Sequence, residues 1–192
     1  ARPMPEVERN ALMAVSRENL TEWLRDARTM EELAIETLEK QAGRLDDYPE
    51  LQERLRQHLA DTRRQAERLD GCMQRLGASA LATSPRSEAF AGGEQIAALL
   101  GTGPVIQNGI TGYAFEHFEI ATYRTLVEAA AAAGEPEVER ICHENLREEE
   151  AMAAWLGRQI PAVTRQYLYD QAARRSGAEE VAGPRPTADT LR

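Results

Sequence analysis

Apolar residues recur along the N-terminal half of the chain at steps of three, four or seven, which is the spacing of one helix face. Asn19 and Glu22 resemble a capping box and predict the start of a first long helix, which stops between Gly43 and Asp47. Pro49 suits the first turn of a second helix. The two inner faces contain Leu20, Leu24, Ala27, Glu31, Ile35, Leu38 and Leu45, and then Leu51, Leu55, His58, Thr62, Gln65, Leu69 and Leu76. This half is therefore predicted to be a helical hairpin.

The C-terminal half has the same arrangement. A third helix is predicted from about Val105 to Ala133, with Gly134 as its stop signal and Pro136 as the start of a fourth helix. Pro161 is predicted to break the fourth helix, and a short fifth helix follows it. Because no segment alternates apolar and polar residues as a strand does, the sequence predicts an all-α fold.

A segment without this periodicity separates the two hairpins. Residues 77–104 are rich in Gly, Ala, Ser and Thr, and a connection of this length fits a long crossover between helices two and three of an antiparallel four-helix bundle. Residues 1–15 are predicted to be an N-terminal arm and residues 16–173 the bundle domain. Residues 174–192, which contain several Gly and Pro residues, are predicted to be a disordered tail.

Charge and composition narrow the classes of function. The net charge is −9 and the pI about 5.0, which argues against nucleic acid and against a polybasic membrane contact. No apolar run is long enough to span a bilayer, and no secretory signal is visible, so a cytoplasmic location is expected. Cys72 and Cys142 show no metal-binding spacing and are expected to be buried, reduced thiols.

Acidic residues lie on faces that should be apolar, although burying an unpaired carboxylate costs several kcal/mol. They fall near the middle of their helices, so a bundle brings them to one level of the core. Six oxygen or nitrogen ligands from four helices would suit a pair of divalent ions, iron first and manganese second. The predicted metal ligands are Glu31, His58, Asp61, Glu116, Glu119 and Glu149. Glu32 is the alternative to Glu31, and Glu148 is expected at the solvated rim.

Four segments carry a resemblance to a known group of proteins. They are "MEELAIETL" (30–38), "YPELQERLRQHLADTRRQAERL" (48–69), "AFEHFEIATY" (114–123) and "LREEEAMAAWL" (146–156). With these the chain resembles the ferritin-like superfamily, and more closely the bacterial stress-associated ferritin-like proteins of the YciE/YciF type. The matching positions are His58, Asp61 and Thr62, the pair Glu116 and Glu119, and the pair Glu148 and Glu149. The resemblance implies a ferritin-like fold with a metal site.

The sequence also departs from the wider superfamily. Di-iron members commonly carry Glu-x-x-His on helices two and four. Here Met152 stands where the helix-four His would be, and helix two has His58 before Asp61, in the reversed order. The usual symmetric site is therefore not expected in full.

The leading hypothesis for function is a di-metal carboxylate protein that oxidises Fe(II) with oxygen or peroxide, or removes peroxide, during stress. This would make it a ferroxidase- or peroxidase-like oxidoreductase, with no catalytic residue assigned. The alternative is a structural or interaction bundle without turnover. The expected partners are metal ions, oxygen or peroxide, and a second copy of the chain in a homodimer formed through an apolar outer face.

Overall fold

The computed structural model describes residues 5–78 and 104–176, which form four long helices. They are α1 (Glu6–Ala42), α2 (Pro49–Arg75), α3 (Val105–Ala133) and α4 (Pro136–Ser176). The all-α prediction is confirmed, and the described ranges contain no strand. Residues 79–103 of the predicted crossover and residues 177–192 of the predicted tail lie outside the described residues.

Short turns join α1 to α2 and α3 to α4, so each pair packs as an antiparallel hairpin. The hairpins associate mainly through α1 and α3, and α2 also contacts α4. Among the four described helices, none is both long and apolar enough to cross a membrane.

The glycine and proline residues that were predicted to end and begin helices do so in the structure. Gly134 adopts a left-handed conformation with φ of 69°, and the Glu135 amide donates a hydrogen bond to the Ala130 carbonyl at 2.9 Å. Pro136 then begins α4, and Pro49 stands in the first turn of α2.

The predicted start of the first helix was wrong. α1 begins at Glu6, inside the predicted arm, and the Asn19 side chain donates to the Val15 carbonyl at 2.9 Å inside the helix instead of capping it. The reason is that residues 6–18 contain no Gly or Pro and many good helix formers, so the helix propagates through them. These first turns are largely exposed, as Val7 shows at 80%.

The predicted break at Pro161 was also wrong. α4 continues through Pro161 to Ser176, so no separate fifth helix follows it within the described residues. Proline removes one backbone hydrogen bond, but Pro161 is exposed, and water can satisfy the carbonyl group that loses its partner. A single proline therefore does not end this helix.

The core has two apolar parts. The larger cluster includes Leu20, Leu24, Leu69, Met73, Leu126 and Val138, and the smaller cluster consists of Leu38, Leu45, Leu55, Met152 and Leu156. Cys72 and Cys142 lie in the larger cluster as buried, free thiols, as the sequence predicts. Polar side chains are buried along the same helices: Glu31, His58, Gln65, Glu116, Glu119 and Glu149.

Candidate metal centre

Four of the predicted ligands meet in the core. His58 of α2, Glu116 and Glu119 of α3, and Glu149 of α4 each offer an atom within 4.8 Å of the atoms offered by the others. All four side chains are buried. Glu116 and Glu119 are three residues apart on a helix and therefore project from the same face. The structure thus gathers three carboxylates and one imidazole, a donor set suited to a divalent metal.

His58 lies between two of these acids. Its Nε2 is 3.2 Å from Glu116 Oε1 and 3.8 Å from Glu149 Oε2. The Thr62 hydroxyl donates to the His58 backbone carbonyl at 2.9 Å, which is a local helix contact. Among the described residues of the cluster, the imidazole is the one candidate nitrogen ligand.

Glu31 of α1 is completely buried beside the cluster, whereas Glu32 is exposed. The structure therefore places Glu31, and not Glu32, on the inner face of α1. The Tyr123 hydroxyl donates to Glu31 Oε1, and the Asn145 amide donates to the Tyr123 oxygen at 3.0 Å. These bonds fix one oxygen of Glu31 and leave the other available.

Behind Glu149 lies a second set of polar contacts. The Gln65 amide donates to Glu149 Oε1 and to Glu148 Oε2, the latter at 3.0 Å. The Arg68 guanidinium donates to Glu148 Oε2 at 2.8 Å and to Asn145 Oδ1 at 2.9 Å. Glu148 was expected to be solvated, but it is only partly exposed and links Arg68 to Gln65. These contacts hold the side chain of Glu149 in place.

Sequence reasoning missed Arg68 and gave Asn145 no role. Asn145 offered a signal, because an amide on an apolar stripe needs buried partners. Arg68 offered none, since an arginine beside a stripe usually lies in solvent.

Asp61 is the predicted ligand that the structure does not bring to the cluster. Its carboxylate ion-pairs with Arg64 and lies 3.8 Å from Arg54. The two arginines hold it at the side of α2, one turn from His58 but not on the inner face. His117 is exposed and packs its ring against Tyr113, and His143 is exposed as well.

Without a bound cation, the buried negative charges of this cluster would lower the stability of the folded protein. Burial raises the pKa of Glu31 to about 8, and burial together with neighbouring carboxylates raises the pKa of Glu119 and Glu149 well above the usual value. Burial opposes protonation of His58, but the charge and hydrogen bond of Glu116 outweigh it and raise the His58 pKa. Without metal the cluster therefore retains protons near neutral pH.

Unsatisfied oxygen atoms show what the cluster lacks. Glu31 Oε2, Glu116 Oε2 and Glu149 Oε2 are buried and find no hydrogen-bond donor within the described part of the chain. Buried acceptors normally have a partner. A divalent cation would satisfy these oxygens and offset their charge, so the residues present fit a bound metal.

A cavity of about 400 Å³ leads to the cluster. His58, Glu116 and Glu119 line its inner part, and Asp46, Asp47 and Tyr48 of the α1–α2 turn line its outer part. The cluster is therefore reached from one end of the bundle.

Comparison with known proteins extends these observations. A family model described as "Domain of unknown function (DUF892)" matches residues 15–169. The crystal structure of a protein from Xanthomonas campestris pv. campestris is 36% identical, with a TM-score of 0.70, and the match covers 82% of this chain and 99% of that one.

Two bacterioferritins are similar in structure. That of Desulfovibrio desulfuricans, described with its diiron site, is 19% identical with a TM-score of 0.66, covering 80% of this chain and 84% of that one. That of Rhodobacter capsulatus, described with a metal-free dinuclear site and a heme iron, is 19% identical with a TM-score of 0.60. The match covers 88% of this chain and 97% of that one. At this identity the likeness shows the fold, which is ferritin-like.

Proposed function

Because the chain belongs to the family described as domain of unknown function DUF892 and buries an acidic cluster in a ferritin-like bundle, we propose that it is an iron-binding oxidoreductase. The proposed reaction is oxidation of Fe(II) by oxygen or peroxide. The stress role and the cytoplasmic location expected from the YciE/YciF resemblance belong to the same proposal.

One observation carries the proposal: three carboxylates and an imidazole from three helices converge in the core, and two of those carboxylates have an unsatisfied oxygen. A purely structural bundle would be more stable with apolar side chains at these positions. A metal that binds only the folded chain compensates for the cost of burying the acids.

The proposed complement is two iron ions, with manganese as the other candidate. His58, Glu116, Glu119 and Glu149 supply one complete set of ligands, and Glu31 adds a carboxylate for a second position. Met152 is completely buried where the superfamily commonly has a histidine, and a soft thioether is a poor ligand for iron held by carboxylates. The second position is therefore expected to be the weaker one.

Each bound Fe(II) would supply one electron, so two irons would supply the two electrons that reduce oxygen to peroxide or peroxide to water. The residues of the chain itself would hold the metal and orient its ligands. The glutamates favour the more highly charged oxidised metal, and Tyr123 and Gln65 fix the orientation of Glu31 and Glu149. The cavity leaves one side of the cluster open to small oxidants.

Anaerobic titration of the metal-free protein with Fe(II), followed by calorimetry and iron analysis, tests the proposal. We expect up to two irons per chain, with unequal affinities, and oxidation of the bound iron on addition of peroxide. Glu119→Gln should lower the affinity at least tenfold, because it replaces an anionic carboxylate ligand with a neutral amide.

Glu150→Gln is the matched control, since Glu150 is an exposed glutamate of α4 paired with Arg124 at 2.7 Å. It should bind iron as the parent does. Absence of iron binding by the parent would favour the structural or interaction bundle instead.

A further inference from the structure

The cavity that reaches the metal centre is a long channel whose walls are more apolar than polar. Leu38 of α1, Leu55 of α2 and Phe115 of α3 line its middle, and His58, Glu116 and Glu119 line its inner end. Val105 and Glu116 both border it, and they lie about 16 Å apart along the axis of α3. The channel therefore runs lengthwise through one half of the bundle.

Small residues keep this space open. Ala34 and Gly109 border the channel from α1 and α3, and a Cβ added at Gly109 would meet no atom within 4 Å. Protein cores normally contain few voids larger than a water molecule, because an empty void forfeits dispersion contacts. This cavity of about 400 Å³ instead opens to solvent at one end, so its apolar wall side chains stay in contact with water unless a ligand covers them.

The size of the channel exceeds what iron oxidation requires. Oxygen, peroxide and a metal ion need only a narrow passage, whereas 400 Å³ lies in the range of pockets for organic ligands, roughly 300–1,000 Å³. Its aliphatic and aromatic walls would bind a hydrocarbon chain by the hydrophobic effect.

The charges at the mouth select the type of head group. The mouth carries two arginines and three aspartates, namely Arg44, Arg174, Asp46, Asp47 and Asp170, so it offers no net attraction for an anion. Tyr167 and Gln171 at the mouth are neutral and can hydrogen-bond an uncharged polar group.

We propose that this channel binds one molecule of an elongated, uncharged aliphatic compound of the medium-chain alcohol type. The hydrocarbon chain lies along Leu38, Leu55 and Phe115, and the polar head lies at the mouth. Binding of the chain does not require the metal. Only the placement of its inner end beside a metal ion depends on the proposed function.

Calorimetric titration of the full chain with 1-decanol and with decanoate tests this, in the metal-free and the Mn(II)-treated protein. We expect one decanol per chain, and weaker binding of decanoate in both forms. Gly109→Leu and Ala34→Leu place extra carbon atoms in the channel and should each lower decanol affinity at least tenfold. Melting curves establish that both variants are folded.

Gly71→Leu is the matched control, because Gly71 is a helical glycine of α2 that is exposed and has no atom within 4 Å of an added Cβ. It should bind decanol as the parent does. The proposal is overturned if the parent binds no decanol, if the folded channel variants bind it as tightly as the parent, or if decanoate binds more tightly. Failure to bind Fe(II) or Mn(II) with decanol binding intact would overturn the proposed function alone.

Discussion

Glu31 is an acid with no exposed surface, and its ionisation opposes folding in the metal-free protein. Its pKa rises from 4.5 to about 8 because burial disfavours the charged form. A carboxyl whose pKa is raised on folding contributes stability that is complete below pH 4.5 and is lost as the pH rises through about 8. The raised pKa of His58 acts in the same direction.

Because ionisation of Glu31 opposes folding, removing its ionisable group should stabilise the metal-free protein at high pH. In the metal-free protein, Glu31→Gln should be more stable than the parent above pH 8, and this advantage should shrink as the pH falls toward 5. Glutamine retains the oxygen that accepts the Tyr123 hydrogen bond but cannot ionise. Urea unfolding at pH 5, 7 and 9 gives the free energies. Glu32→Gln is the control at an exposed neighbour and should change little, and equal behaviour of the two variants would contradict the assignment of Glu31 to the core.

Tyr123 provides the second prediction at the scale of a residue. Tyr123→Phe removes the hydroxyl that donates to Glu31 and accepts from Asn145, so a buried acceptor and a buried donor lose their partner. We expect a loss of about 1–3 kcal/mol in stability. We also expect weaker metal binding, because Glu31 is no longer oriented.

Tyr169→Phe is the comparison variant, since Tyr169 lies on α4 and is 57% exposed. Denaturant melts and Fe(II) titrations of the two variants separate the effects. Unchanged metal affinity in Tyr123→Phe would mean that the hydroxyl serves packing alone.

At the scale of an element, α4 tolerates a proline in its interior at the cost of one backbone hydrogen bond. Pro161→Ala restores the amide and removes the clash with the preceding turn, so the variant should be more stable, by up to about 3 kcal/mol. The control is Pro136→Ala, because a proline in the first turn of a helix removes no such bond and its replacement should gain little. The melting temperatures of both variants test this prediction, and destabilisation by Pro161→Ala would contradict it.

At the scale of the whole molecule, metal binding and folding are coupled. Ligands bind metal in their deprotonated forms, so metal affinity rises with pH while the stability of the metal-free protein falls. Excess Mn(II) should therefore raise the melting temperature of the parent more at pH 8 than at pH 6. A concentration one hundred times the dissociation constant would add about 2.7 kcal/mol. An equal shift at both pH values would contradict metal binding at this cluster.

Local patterns in the sequence were enough to predict four long helices and the faces on which most of their polar residues lie, but not the start of α1 or the continuation of α4 through Pro161. Helical periodicity is a local property, so His58, Glu116, Glu119 and Glu149 could be assigned to inner faces before any packing was known, whereas Glu32 stayed open as the alternative to Glu31. Gly134 and Pro136 end and begin helices through backbone conformations that do not depend on distant residues.

The tertiary structure decided which of these residues meet. Asp61 lies one turn from His58, yet Arg64 holds it outside the cluster, and periodicity cannot resolve a side chain near the border of a face. The contacts of Arg68 with Glu148 and Asn145 join residues far apart in the chain, so no local pattern contains them. The channel also arises only from the relative placement of helices, because it is a space between side chains and not a property of any one segment.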